Sequence, residues 1–278
     1  MTWILFALVA QLGNAAKNVL TRRVGDGVDM YTTAFVSTAL MLPFLWASVF
    51  LSGNFTIEPE FWRLLPLFLP LEIVVMLMFF HALTRSELSV AYPFVSFSPF
   101  FVAIGSFFIL GEVNSWLMYA GMALLVIGAF THQLHKEKHI NIRGALFILS
   151  VAALWGYMIP MGNLAMTYTT PQLFPAIYFT SAVVLFLPVW AYKRSSSFRA
   201  VARHGGLFLS IGAAYALFMG ANWYAYHLGP TTGVAALGMT SILMTSALSG
   251  LYLKERLTTR RVMAALIMFI GAVLVTVA

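Results

Sequence analysis

Two ionisable side chains lie inside long apolar stretches of this sequence, where a charge is costly and usually serves a function. Glu72 is followed by eight consecutive apolar residues (73–80), and Lys17 lies near the end of an earlier apolar stretch. The carboxyl group of Glu72 could exchange protons or bind a substrate amine, with Lys17 as its ion-pair partner. A purely structural carboxyl group is the alternative for Glu72. The alternative for Lys17 is a long side chain that extends to the lipid interface.

Amide side chains follow one face of the first apolar stretch. Gln11, Asn14 and Asn18 recur at i, i+3 and i+7, which is the spacing of neighbours on one side of an α-helix. In a membrane helix such a face must contact protein or water, because lipid offers amides no hydrogen bonds. Hydrogen bonding between helices explains the pattern about as well as a cavity wall, and we favour the cavity.

Later stretches add aromatic and hydroxyl side chains that a cavity could use. Asn222 and Tyr226 are one helical turn apart and share a face. Trp155 and Tyr157 could stack on an aromatic or amine-bearing substrate, although packing explains them equally well. Prolines in the fourth stretch predict a bend or break of the kind that transporters use at binding sites. Hydroxyl groups at similar depth complete the predicted cavity: Tyr92, Ser96 and Thr240.

Sequence motifs of enzymes and metal centres are missing. The chain contains no G-x-S-x-G, H-E-x-x-H or P-loop pattern. His132, His135 and His139 have helical spacing, but they follow the end of an apolar stretch among lysines, as in a solvated basic loop. We therefore predict no enzyme activity, no cofactor and no bound metal.

The composition indicates that lipid is the solvent for most of the chain. Hydrophobic residues make up 61% of the 278 positions and charged residues 9%, against about a quarter charged in soluble domains. Ten continuously apolar stretches approach the roughly 20 residues that a membrane-spanning helix needs. They cover residues 2–20, 30–51, 63–83, 88–110, 115–134, 142–165, 171–192, 206–227, 231–253 and 259–277. The predicted fold is an all-α integral membrane protein with ten transmembrane helices.

A fixed offset of 143 positions relates the two halves. It pairs Glu112 with Glu255 and Gly13 with Gly156, which predicts two five-helix repeats over 1–138 and 139–278. Because five crossings are an odd number, the second repeat must be inverted relative to the first. Both glutamates lie where an apolar stretch ends, and we expect them to have a local structural role in the turn.

The distribution of basic residues predicts the orientation. Fourteen of the sixteen Lys and Arg residues lie in alternate connections; Arg63 is the one in the opposite connections, and Lys17 lies within the first stretch. Since basic residues favour cytoplasmic loops, both termini are predicted to be outside. The net charge of +7 is spread over short connections and forms no patch for nucleic acid.

In these features the chain resembles the drug/metabolite transporter superfamily, specifically its EamA type with two five-helix repeats. The resemblance covers essentially the whole chain. It is carried by Leu110-Gly111-Glu112 and Leu253-Lys254-Glu255, each at the end of the fourth stretch of its repeat. It is also carried by Gly121, Gly128 and Gly271 in the fifth stretch of each repeat, and by Trp155-Gly156 in the sixth stretch of the chain. It implies export or exchange of small metabolites through a central cavity that both repeats frame. Many such proteins keep both termini in the cytoplasm, unlike the orientation predicted here. Four-helix multidrug relatives carry a glutamate in the first helix, which this chain lacks.

We therefore expect a secondary transporter for a small polar or aromatic metabolite, working by alternating access in a bacterial inner membrane. The resemblance favours amino-acid-like cargo. A passive facilitator and a non-transporting scaffold or lipid-handling subunit are the alternatives. The expected partners are a small-molecule substrate, the lipid bilayer and, as a coupling ion, protons, in a monomer or homodimer.

Overall fold

The computed structural model describes residues 1–84, 92–133, 142–196, 198–253 and 259–278. Within these ranges the secondary structure is helical and contains no β-strand. The α-helices are α1 (Thr2–Val24), α2 (Met30–Ser52), α3 (Pro59–Thr84), α4 (Ser98–Leu110), α5 (Trp116–Gln133), α6 (Ile142–Met166), α7 (Leu173–Lys193), α8 (Phe198–Arg203), α9 (Gly205–Leu228), α10 (Thr231–Leu237), α11 (Thr240–Leu253) and α12 (Thr259–Val277). Two 3-10 turns accompany them, Gly25–Gly27 and Tyr92–Phe97.

Most of these helices are suited to a bilayer by length and composition. In the described part of the chain, eight helical segments are long and apolar enough to cross a membrane, and Trp116–His132 and Val262–Val277 are shorter apolar helices. Large apolar side chains point outward, with Phe108 78% exposed and Phe269 64% exposed. A water-soluble protein would bury such side chains, whereas lipid solvates them. The chain is an integral membrane protein.

Two of the apolar segments are interrupted. In the first, the 3-10 turn Tyr92–Phe97 leads into α4, where Pro99 occupies the first helical turn and lacks the N–H that a longer helix would need there. In the second, α10 ends at Leu237 and α11 begins at Thr240. The break that prolines predicted in the fourth segment is therefore present, and the ninth segment is broken as well.

Helices α5 and α12 pack closely along small residues. A Cβ atom added to Gly121 would lie 2.8 Å from the carbonyl oxygen of Gly271, closer than real Cβ atoms approach. Gly128 likewise faces the backbone of Ala264. These glycine positions bring the two helix backbones together, as small residues do in membrane proteins.

The remaining helices pair across the two halves of the chain. Helix α1 packs against α9 and α11, and α6 packs against α3 and α4. Helix α2 contacts α7 and α9, while α7 also contacts α3. Each of these contacts joins helices that are far apart in sequence, so the two halves interdigitate around a shared centre.

Connections meet at both ends of the helix bundle. At one end, which we call the basic end, the Arg22 guanidinium donates a hydrogen bond to the Ser249 hydroxyl. At the same end the Asp29 N–H donates to the Ser196 hydroxyl. At the other, which we call the opposite end, the Glu58 N–H donates to the Tyr168 carbonyl oxygen and the Thr169 hydroxyl donates to the Thr56 carbonyl oxygen. These contacts assign the connections that hold Asp29 and Ser196 to the basic end, and those that hold Glu58 and Tyr168 to the opposite end.

Asp29 joins two connections at the basic end. Its carboxylate caps the start of α2 by accepting hydrogen bonds from the N–H and hydroxyl of Thr32, and it also accepts from the N–H groups of Ser195 and Ser196. Partial burial disfavours the charged carboxylate, but the hydrogen bonds from Thr32 and Ser196 outweigh it and lower the pKa of Asp29 to about 2. The carboxylate therefore stays ionised throughout the physiological range.

Candidate functional site

A cavity of about 1810 Å³ lies between the two halves of the chain. Side chains of α1, α2, α3, α6, α7, α9 and α11 line it, so each half contributes. The lining runs from residues near the middle of helices, such as Gln11 and Asn222, to Arg22, Asp29 and Arg260 at the basic end. The volume of the cavity exceeds the roughly 300–1,000 Å³ of a typical small-molecule pocket because the cavity continues to the basic end.

Amide groups connect α1 and α9 in the deep part of the cavity. The Gln11 side chain is 1% exposed, and its amide donates a long hydrogen bond of 3.4 Å to the side-chain oxygen Oδ1 of Asn222. On α9, the ring of Tyr226 lies 5.3 Å from that of Trp223, and both rings line the cavity. In such a site the amides can form hydrogen bonds with a polar group of a ligand, while the aromatic rings pack against an apolar part of the same ligand.

Glu72 is held by an aromatic neighbour from the other half of the chain. The phenol of Tyr178 on α7 donates a hydrogen bond of 2.8 Å to its carboxylate on α3. The Tyr178 ring packs nearly parallel to the rings of Phe68, at 5.6 Å, and Phe174, at 5.7 Å, and these contacts fix its direction. Glu72 and Tyr178 both line the cavity, so the carboxylate is available to a substrate or a proton.

Lys17 lies over aromatic rings of α9. Its ammonium nitrogen is 4.7 Å from the ring centre of Tyr215 and 5.6 Å from that of Phe218. Among the described residues it makes no ion pair with Glu72, because the carboxylate faces Tyr178 and the ammonium faces these rings. Both charged groups line one cavity without neutralising each other.

Most of the residues predicted from sequence meet in this cavity. Besides Lys17, its lining includes Gln11, Asn14, Asn18, Glu72, Ser96, Trp155, Asn222 and Tyr226. The side chain of Tyr92, which begins the 3-10 turn, lies outside the described part of the structure.

Two predicted residues do not line the cavity. Tyr157 does not belong to the lining and is 37% exposed. Two positions along a helix correspond to a rotation of about 200°, so the side chain of Tyr157 points away from the cavity that Trp155 lines. Thr240 donates its hydroxyl to the carbonyl oxygen of Leu237 across the break between α10 and α11. Ser241 and Thr245 of α11 line the cavity instead.

Glu112 makes a long-range contact at the opposite end in place of a contact within its own turn. Its two carboxylate oxygens accept hydrogen bonds from the N–H groups of Thr231 at 3.0 Å and Thr232 at 3.1 Å, at the start of α10. The amides of Asn163 and Asn114 donate to the hydroxyls of the same two threonines. The expectation of a local role was wrong for Glu112, and Glu255 lies outside the described residues.

Sequence reasoning missed several aromatic residues of the site. Tyr178, Phe68 and Trp223 line the cavity, and Tyr215 lies beside Lys17. The stretches around Tyr178 and Tyr215 are largely apolar, so periodicity gave no sign of which of their faces was inward. The signal that could have found Tyr178 is its hydroxyl group, which needs a partner when it is buried in an apolar helix.

The histidines provide no metal centre in the described ranges, where no three His, Cys, Asp or Glu side chains come together. His132 lines the cavity and lies 3.1 Å from the hydroxyl of Ser246. His135 and His139 lie outside the described residues.

Comparisons with known proteins agree with this architecture. One solved structure, described only as the crystal structure of a protein, superposes with a TM-score of 0.83 at 13% identity, over 99% of this chain and 96% of that one. At that identity the likeness concerns the fold alone. No curated protein sequence matches the chain significantly. The sequence pattern of the EamA-like transporter family matches twice, at residues 1–132 and 142–277. On that evidence the chain belongs to the EamA-like transporter family, within the drug/metabolite transporter superfamily.

Proposed function

We propose that this protein is a secondary transporter that moves a small polar or aromatic metabolite by alternating access. Membership of a transporter family establishes the coarse class, and the cavity between the two halves carries the finer proposal. The cavity combines amide, carboxylate and ammonium groups with aromatic walls. It reaches the basic end, while Glu112, Asn114 and Asn163 tie the opposite end together. A cavity closed at one end is what one state of an alternating-access cycle requires.

The same proposal includes ten membrane crossings in two inverted repeats, 1–138 and 139–278. Helix contacts support it, because exchanging each helix for its counterpart preserves them: α1 with α9 becomes α6 with α3, and α1 with α11 becomes α6 with α4. The two broken segments support it as well. The offset of 143 places the end of the first break, at Phe97, on the start of α11 at Thr240.

Helices α5 and α12 complete the ten crossings in this scheme. They contain 18 and 19 residues. At 1.5 Å per residue they reach about 27–28 Å, close to the roughly 30 Å hydrocarbon thickness. Their close packing through Gly121 and Gly271 supports the proposal that they are the equivalent fifth helices of the two repeats.

The basic end is assigned to the cytoplasm. Arg22, Arg194, Arg199, Arg203 and Arg260 lie at or next to the helix ends there, and the positive-inside rule places such residues in the cytoplasm. On this assignment both termini are outside, and the end of the cavity that reaches Arg22 and Arg260 is the cytoplasmic one. This arrangement suits loading of a cytoplasmic metabolite for export or exchange across a bacterial inner membrane.

Flux through reconstituted protein tests the proposal. Proteoliposomes preloaded with an unlabelled amino acid should accumulate the same labelled compound by exchange, for at least one member of a panel of amino acids. Asn222→Ala should weaken that exchange because it removes an amide from the cavity. Arg63→Gln should not, since Arg63 is an exposed residue in a surface ion pair with Glu60. Exchange no faster than in protein-free liposomes across the whole panel would contradict transport.

Coupling to protons distinguishes an active transporter from a passive facilitator. Glu72 is the group we propose to carry the proton, because it lines the cavity and lies among apolar residues. With an imposed pH gradient, wild-type vesicles should concentrate the compound and Glu72→Gln vesicles should only equilibrate it. Equilibration by both would favour the facilitator.

A further inference from the structure

Lys17 is a cation in the cavity wall to which the proposed transport cycle assigns no role. We propose that its ammonium group, together with the amides of Asn14 and Asn18, binds a carboxylate of the transported compound. This inference rests on the proposed function and narrows it, because it restricts the cargo to organic carboxylates and excludes simple amines and cationic drugs.

The first observation is the absence of a counter-ion beside Lys17. Across the described ranges, no Asp or Glu oxygen lies within ion-pair distance of its ammonium nitrogen. The faces of Tyr215 and Phe218 recover part of the lost hydration, but a cation over a ring keeps the capacity to bind an anion. A charge held in a cavity without a partner is typical of a site whose partner is the ligand.

The second observation concerns the neighbours of Lys17 on α1. Asn14 lies one turn before it and Asn18 follows it directly, and both line the cavity. In the structure as described, the side chains of Asn14 and Asn18 show no hydrogen bond, in contrast to Gln11, which donates to Asn222. Amide N–H groups and an ammonium group on one helical face provide several donors for a single carboxylate.

The acidic groups of the cavity are already engaged, so they do not compete for Lys17. Asp29 accepts from backbone N–H groups of Ser195 and Ser196, and Glu72 accepts from Tyr178. Arg22 and Arg260 add positive charge to the lining towards the basic end. The potential along the path to Lys17 therefore favours an anion that enters from that end.

The aromatic walls select an organic anion over an inorganic one. Tyr215 and Phe218 border the ammonium, and Trp223 and Tyr178 line the same cavity. A hydrated phosphate or chloride ion gains nothing from such surfaces, whereas a carboxylate with an apolar or aromatic body buries area against them. The predicted cargo class is a small organic carboxylate, with amino acids included.

Matched ligand pairs that differ only in the carboxylate test this assignment. Purified protein would be unfolded thermally with 10 mM benzoate, phenylacetate or L-phenylalanine, and with the corresponding amides, which have nearly the same shape and no carboxylate. Sodium chloride and sodium phosphate at equal ionic strength control for inorganic anions. We expect at least one carboxylate to raise the Tm of wild-type protein by about 2 °C or more, and its amide and the salts to leave the Tm unchanged.

Variants assign the effect to Lys17. Lys17→Gln should lose the carboxylate response, Lys17→Arg should retain at least part of it, and Arg63→Gln, which removes an exposed cation at the opposite end, should respond as wild type. Because Lys17 has no ion-pair partner among the described residues, Lys17→Gln should also unfold at no lower temperature than wild type without ligand.

A panel in which no carboxylate stabilises wild-type protein, or in which amides or salts stabilise it equally, overturns the proposal. An unchanged response of Lys17→Gln does the same.

Flux measurements separate this inference from the proposed function. If vesicles exchange a labelled compound and Lys17→Gln exchanges it with unchanged KM, transport stands and the carboxylate site is refuted. If carboxylates bind in a Lys17-dependent manner and no labelled compound moves, the site stands and transport is refuted.

Discussion

The phenol of Tyr178 donates a 2.8 Å hydrogen bond to the carboxylate of Glu72, and the two residues belong to different halves of the chain. Glu72 is the acidic residue lying deepest within an apolar segment, and its partner comes from α7, which packs against α3. Any rocking of one half against the other must stretch or remake this bond. A proton on Glu72 would therefore be linked to the relative position of the two halves.

Removal of the phenol should destabilise this state of the protein. Tyr178→Phe leaves the ring packed against Phe68 and Phe174 and removes the hydroxyl that donates to Glu72. Loss of a hydrogen bond to a charged group costs about 1.5–3 kcal/mol, so the Tm in detergent should fall by several degrees. Tyr192→Phe, at an 83% exposed position on the same helix, is the control and should leave the Tm unchanged. Equal melting of the two variants would show that the Tyr178 bond contributes little.

Asp29 should make stability depend on acid pH. Its folded-state pKa of about 2 lies below the ordinary value of 3.8, so its contribution is present above pH 3.8 and is lost as the pH falls towards 2. Asp29→Ala removes a helix cap and should cost about 1–2 kcal/mol at neutral pH. The difference in Tm between wild type and the variant should shrink between pH 4 and pH 2. Glu60→Ala, which removes an exposed ion pair with Arg63, is the control and should show no such trend.

Glu112 should hold the opposite end of the cavity closed. Glu112→Ala leaves the N–H groups of Thr231 and Thr232 without their acceptor, which weakens the attachment of α10. A cysteine at Ala235, which lines the cavity on α10, should then react faster with an impermeant thiol reagent added from the opposite end. The chain has no native cysteine, so the label reports this position alone. Glu60→Ala in the same background should leave the rate unchanged. If Glu112→Ala also leaves the rate unchanged, the contact between Glu112 and α10 does not hold this end closed.

The crossing of α5 and α12 should tolerate no side chain at Gly121. Gly121→Ala places a methyl group 2.8 Å from the carbonyl oxygen of Gly271, and the backbones must separate. The lost packing should lower the Tm by several degrees, since overpacking typically costs about 1–3 kcal/mol. Gly205→Ala is a matched control, because a methyl group there meets no atom within 4 Å. If Gly121→Ala has the same Tm as wild type, the two helices are not in the close contact described.

The helices and their approximate limits could be predicted from sequence because lipid imposes a simple requirement. A crossing helix needs a continuous apolar stretch, and the ends predicted for α1, α6 and α9 agree with the structure within a few residues. The polar face of α1 was also predictable. Amides at i, i+3 and i+7 must find protein or water, and Gln11, Asn14 and Asn18 all line the cavity.

Partners across helices could not be predicted, because they depend on rotation and depth that no local pattern records. Tyr178 was missed as the donor to Glu72, and Lys17 was paired with Glu72 although it lies over Tyr215. Tyr157 was placed beside Trp155 by proximity in sequence, against the helical rotation of about 200° between them. Residue types gave the chemistry of the site, and helix packing gave its geometry.

Alternating access requires the cavity to open in turn to each side of the membrane. An Asn222→Cys variant in membrane vesicles of known orientation tests this when an impermeant thiol reagent is added from either side. Phe108→Cys, on the surface of the helix bundle that faces lipid, is the control. Alternating access predicts that the thiol introduced by Asn222→Cys reacts from both sides and that Glu112→Ala increases its rate from the opposite end. The thiol introduced by Phe108→Cys should react from neither side. Labelling of the Asn222→Cys variant from one side alone, whatever the state of Glu112, would contradict alternating access, and no labelling from either side would indicate a scaffold without a water-filled cavity.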